Sequence, residues 1–176
     1  AALSLVGASS AVAFNLAGAN TLTLPAGATF NTTIGTGVVT NPGGASADVT
    51  IGGAGVVTLS SAGAVTMTGS VAQLGTSTTS GALSYTNAVG IDLGPVTVTG
   101  GNDLSITATS GNISNTLGAL NVSGNSTFTA ANGATIAVNN AGNVFTGTVV
   151  FSSGGTLANV SVTDTTALAL SALTLS

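Results

Sequence analysis

The chain has 176 residues with no Lys, Arg, His or Cys, and four Asp are its only charged side chains, for a formal net charge of -4. That inventory excludes phosphate-directed nucleic-acid binding, polybasic recognition of anionic lipid, a disulfide framework and thiolate metal sites. Charged residues make up 2% of the chain and hydrophobic ones 44%, the reverse of the polar, highly charged composition that keeps a chain disordered.

Residues 1–19 are apolar but lack a basic leader region, and Ser4, Ser9, Ser10 and Asn15 interrupt them, so they match neither a signal peptide nor a spanning helix. Val12, Phe14 and Leu16 alternate with period two, which predicts a strand serving as first rung or N-terminal cap. Residues 20–176 then read as continuous strand and turn. Leu22-Thr-Leu24, Phe30, Val38-Val39, Val49-Thr-Ile51, Val57-Thr-Leu59 and Val65-Thr-Met67 are short apolar alternations, with corners at Pro25-Ala-Gly27 and Pro42-Gly43-Gly44. The series runs on through Leu74, Leu83 to Tyr85, Ile91 to Leu93 and Val96 to Val98.

The pattern is most regular from about residue 80. Strands at Leu104–Ile106, Leu120–Val122, Thr127–Thr129, Ile136–Val138 and Val149–Phe151 are separated by Gly101-Asn102, Gly111-Asn112, Gly124-Asn125, Asn132-Gly133 and Gly142-Asn143. Val160 to Val162, Leu168 to Leu170 and Leu173 to Leu175 close the chain. Strands this short need at least two neighbours and a shared apolar face. Gly and Asn accept the left-handed backbone that sharp corners require.

Stacked coils explain the missing charges. Equivalent positions on successive coils lie about 4.8 Å apart, where two like charges repel by roughly 0.9 kcal/mol in bulk water and about 3.5 at an effective dielectric of 20. Columns of Thr, Ser and Asn carry no such penalty and can hydrogen-bond along the stack. The expected fold is therefore all-β, a parallel β-helix or β-solenoid. Three short faces give coils of roughly 19 to 25 residues and about seven to nine rungs. No polar terminal unit closes the repeats, so the chain is expected to meet neighbouring solenoid segments or copies of itself end to end.

No candidate catalytic, cofactor or metal residue emerges. Of the usual acid–base residues His, Glu, Asp and Lys only Asp is present, at Asp48, Asp92, Asp103 and Asp164; these are expected at corners, holding local backbone N–H groups, although stacking can bring Asp92 and Asp103 onto neighbouring faces or rungs. Gly100-Gly101-Asn102-Asp103-Leu104 is similar to a calcium-binding nonapeptide, but that motif works by recurring and here occurs once. Eight Thr-x-Thr pairs start at Thr21, Thr66, Thr76, Thr97, Thr107, Thr127, Thr146 and Thr163, a pattern any Thr-rich strand produces and also that of an ice-binding array. Asn-x-Ser/Thr sequons start at Asn31, Asn112, Asn121, Asn125 and Asn159.

Gly111-Asn112-Ile113-Ser114-Asn115, the stretch from Gly118 to Gly124, the stretch from Asn140 to Gly147 and that from Val160 to Leu168 resemble the degenerate repeats of filamentous-haemagglutinin-type bacterial adhesins. The likeness covers about residues 80–176 and is weaker before them. The resemblance implies a right-handed parallel β-helix exported to the cell surface or medium. The expected role is thus a structural or adhesive segment of an extracellular bacterial surface protein or filament, without catalysis or cofactor. Two alternatives stand beside it: a subunit of a homopolymeric fibre joined end to end or by strand exchange, and an ice- or glycan-binding solenoid.

Overall fold

A computed structural model of the protein describes residues 73–171 continuously, and before them the segments 2–4, 12–23, 29–41, 47–52, 56–61 and 65–69. Among these the chain is all β, with no helix, and every strand pairing is parallel. From Val65 to Val162 successive strands do not pair with each other; each pairs with the strand three places on, which is the mark of a three-faced coil. Face A stacks Val65–Gly69, Leu83–Asn87, Leu104–Ala108, Ser126–Ala130, Thr148–Ser153 and Ala169–Leu170, so about five turns lie between Val65 and Leu170. Face B stacks Gln73–Leu74, Ile91–Leu93, Ile113–Ser114, Thr135–Val138 and Asn159–Val162. Face C stacks Ser77–Thr79, Val96–Val98, Leu120–Val122 and Val144–Phe145.

Period-two alternation turns one side of every strand inward, and in-register stacking converts those side chains into columns. On face A, Met67, Tyr85, Ile106, Phe128 and Phe151 form one such column, all buried. The Phe128 ring stacks on Phe151 with centroids 5.8 Å apart and meets the edge of Phe145, from face C, at 6.2 Å. Ile91, Ile113 and Ile136 line face B, while Val98, Val122 and Phe145 line face C. The core is the interior of the coil, so a residue's burial depends on its place in one turn and not on long-range folding of the chain.

Parallel pairing also extends toward the N-terminus. Ala2–Ser4 pairs with the end of Val12–Thr23, and Val12–Thr23 pairs with Thr29–Asn41. The predicted strand at Val12–Leu16 is thus part of the stack, while residues 5–11 of the expected cap lie outside the described residues. The corners expected at Pro25-Ala-Gly27 and Pro42-Gly43-Gly44, and the strand expected at Leu173–Leu175, also lie outside them.

The coil changes length along the axis. Val65 pairs with Leu83, 18 residues on, and Gln73 with Asp92 pairs at 19. Leu83 pairs with Leu104 at 21, Ile91 with Ile113 at 22, and Val96 with Leu120 at 24. The added length is shared: face A leads to face B in 8 residues from Leu83 to Ile91 and in 10 from Ser126 to Ile136, and the corner between faces B and C grows from 5 residues, Ile91 to Val96, to 7, Ile113 to Leu120. That corner is Gly94-Pro95 in one turn and Asn115 to Ala119 in the next.

Corners are where the expectation for Asn needs correcting. The positive-φ residues are Gly100, Gly101, Gly111 and Gly133, and no non-glycine residue among those described takes that conformation. Asn at the corners therefore does not supply left-handed backbone; it supplies side-chain hydrogen bonds between turns.

Candidate functional surface

Where a corner interrupts the backbone ladder, an N–H on one turn faces no carbonyl on the next, and an amide or carboxylate oxygen fills the gap. The oxygen Oδ1 of Asn112 accepts from the Thr135 N–H at 2.8 Å, that of Asn125 from Thr148 at 3.0 Å, and that of Asn132 from Thr156 at 2.9 Å. The described Asp residues do the same work. Asp92 accepts from the Ser114 hydroxyl and the Thr116 N–H, both at 2.8 Å, and from the Thr116 hydroxyl at 2.5 Å. Asp103 accepts from the Asn125 N–H at 2.7 Å, and Asp164 from the Phe145 N–H at 3.1 Å and from Thr166. The bonds from Thr166 to Asp164 are local, as the sequence suggested for corner carboxylates, and the others are clamps across turns.

Asp92 lies on face B and Asp103 at the corner leading to face A, each engaged by its own neighbouring turn. Asp48 lies in Ala47–Gly52, opposite Thr66 on the next strand. In the calcium-like stretch, Asn102 donates to the Ser80 and Thr99 carbonyls at 3.0 and 2.8 Å. Gly100 and Gly101 make the sharp bend there. Among the described residues no three His, Cys, Asp or Glu side chains gather as a metal site would require. Nor is any helix among them long and apolar enough to cross a membrane.

Inside the lengthened corner, two buried amides are joined. Asn115 donates to Asn143 Oδ1 at 2.7 Å, and that oxygen also accepts the Leu120 N–H at 2.9 Å. Asn143 in turn donates to the Val138 carbonyl at 2.9 Å, and Asn115 Oδ1 accepts the Asn140 N–H at 3.2 Å. Both side chains lie in the interior, so this network holds two turns together where apolar packing gives way.

The outward positions also form columns. On face A one runs Thr68, Thr86, Thr107, Thr129, Ser152, and beside it runs Thr66, Ser84, Ser105, Thr127, Val150. Face C carries Thr78, Thr97, Asn121 and Val144, and face B carries Gln73, Asp92, Ser114, Ala137 and Ser161. Face A is thus the most uniform surface: nine of these ten outward positions are hydroxyl-bearing and none is charged. No aromatic ring is exposed among the residues whose side chains are described.

A family described as Repeats of unknown function (DUF5649) matches residues 80–152. No curated protein and no solved structure matches the chain. The matched stretch starts at the point where the coil lengthens, and it contains the turns of 21 to 24 residues with their clamped corners.

The Thr-x-Thr pairs do not converge on one face. Thr66/Thr68 and Thr127/Thr129 lie on face A, but Thr97 faces out from face C and Thr109 caps a corner by donating to the Asn87 and Ala88 carbonyls. Ser84, Thr86 and Ser105 complete the array with Thr107, and counting Thr pairs alone misses those three. Only the register of face A, at 18, 21, 22 and then 23 residues, identifies them. Of the sequon residues, Asn112, Asn121, Asn125 and Asn159 are exposed, and Asn112 and Asn125 are engaged as clamps; Asn31 lies in the strand Thr29–Asn41.

Proposed function

We propose that the chain is a structural and adhesive β-solenoid segment of an extracellular bacterial surface protein or filament, acting without catalysis. The observation that carries this reading is the parallel stack itself, locked at each corner by side chains that bond the next turn. A molecule built this way resists bending and local opening, because every turn is held from both sides. Its corner amides and described carboxylates are engaged in holding turns together, and Asp is its sole charged side chain.

The same reading includes a right-handed coil of seven to nine rungs, a kinship with filamentous-haemagglutinin-type adhesins, and export to the cell surface or medium. A parallel coil presents backbone N–H and C=O groups along its axis at each rung, which suits addition of a neighbouring segment or a second copy end to end. The absence of Lys and Arg leaves trypsin-like proteases without a site.

Electron microscopy of the purified chain, combined with digestion by a broad-specificity protease, tests the proposal. The expected result is a short rod, alone or in end-to-end strings, that survives digestion with its β circular dichroism intact. A round particle cleaved throughout the stack would remove the basis for a load-bearing role.

A further inference from the structure

We propose that face A is an ice-binding surface. This goes beyond the structural role and does not depend on it. The two outward columns place hydroxyls in a two-dimensional array, about 4.8 Å apart along the axis and about 6.7 Å apart across each strand. Crystalline water repeats its oxygens at similar intervals in two directions, so hydroxyls held in register can enter its lattice together. A single hydroxyl cannot do this, since it competes with liquid water at no advantage.

A second observation is independent of the spacing. The corner hydroxyls and amides are used within the protein: Ser114 and Thr116 bond Asp92, Ser123 bonds the Val98 carbonyl, and Thr109 bonds Asn87. The side chains of Ser84, Thr86, Ser105, Thr107 and Thr127 make no hydrogen bond to any described residue. Thr129 and Ser152 bond each other along the stack at 2.7 Å, with either hydroxyl able to donate. At Ser84, Thr86, Ser105, Thr107 and Thr127, face A therefore presents partly exposed hydroxyls with unused donors and acceptors on a rigid sheet.

Charge and ring content choose between occupants. From Thr66 to Ser152 the array is neutral, which suits an uncharged partner, and Asp48 opposite Thr66 marks where a charge enters its column. A carbohydrate surface is commonly gripped by exposed aromatic rings, and face A has none among its described outward positions. Face B is broken by Asp92 and Ala137, and face C by Asn121 and Val144, so neither offers a comparable lattice.

The test is ice shaping and inhibition of ice recrystallisation by the intact chain, by Thr107→Tyr at the centre of the array and by Thr97→Tyr on face C. Both substituted positions face outward on strands, and Thr107→Val provides a shape-conserving second variant should the larger ring disturb folding. The expected result is faceted ice crystals with the intact chain and with Thr97→Tyr, loss with Thr107→Tyr, and weakening with Thr107→Val. Round, unhindered ice growth with the folded intact chain overturns the proposal, as does equal loss from faces A and C. Glycan binding or dimerisation that Thr107→Tyr abolishes, without ice shaping, overturns it too and assigns face A to that partner.

Discussion

Ser126 sits in the core column between Leu104 and Val149, fully buried, with no partner for its hydroxyl. A buried polar group left unpaired costs about 1–3 kcal/mol, so Ser126→Ala should raise stability by about 1 kcal/mol, read as a higher denaturation midpoint with unchanged slope. Asn143 presents the opposite case. Its amide bonds Asn115, the Leu120 N–H and the Val138 carbonyl together; in Asn143→Ala the Val138 carbonyl keeps the Thr163 N–H and Asn115 keeps the Gly118 carbonyl, but the Leu120 N–H is left unpaired in the interior. Since an orphaned buried group carries a penalty of that size, the variant should lose about 1–3 kcal/mol. The same measurement checks it. Two polar residues buried to the same degree thus differ in sign, and what separates them is hydrogen-bond satisfaction.

At the scale of the strand and corner, short apolar alternations flanked by Gly and Asn were legible in sequence, and the strands at Leu104–Ala108 and Ser126–Ala130 follow from them. The columns were not legible. Their membership depends on coil length, which grows as the passage from face A to face B lengthens and as the corner after face B expands from Gly94-Pro95 to the stretch Asn115–Ala119, and composition gives no sign of that growth. Nor did composition separate the two duties of glycine. Gly133 has φ +73 with open space around it, whereas a Cβ on Gly147 would run into the Gly124 backbone carbonyl of the neighbouring turn. Gly133→Ala should therefore lose only the dihedral cost of about 1–2 kcal/mol. Gly147→Ala should lose more, because backbone on an adjacent turn must move; parallel thermal melts separate the two. The ladder argument against charge has its own measurement. Thr107 and Thr129 are register partners on face A. In a double-mutant cycle of Thr107→Lys and Thr129→Lys, the pair should be less stable than the sum of the singles by about 1–3 kcal/mol at low salt. The excess should shrink as salt shortens the screening length from about 30 Å to about 8 Å.

For the molecule as a whole, each turn contacts its neighbours and little else, so stability is a sum of turns and interfaces. Removing a complete turn should then be tolerated where removing part of one is not. Deletion of residues 126–148 joins Asn125 to Val149. Asn125 lies opposite Thr148, itself the residue before Val149, so the junction falls in register. Leu104–Ala108 then stacks on the remainder of Thr148–Ser153, with Ile106 over Phe151 in place of Phe128. The Asn115–Asn143 bond and the Phe128 ring contacts are lost with the turn, so the shortened chain should fold at a lower midpoint with its β circular dichroism kept. Its rod should be shorter by about 4.8 Å, the spacing of one rung. Deletion of residues 126–136 instead brings a face B segment under face A, turns the corner clamps away from their N–H partners and should abolish folding. If both deletions unfold alike, the molecule is held by long-range contacts that a coil of semi-independent turns lacks; if only the partial one does, the turn is its unit of stability.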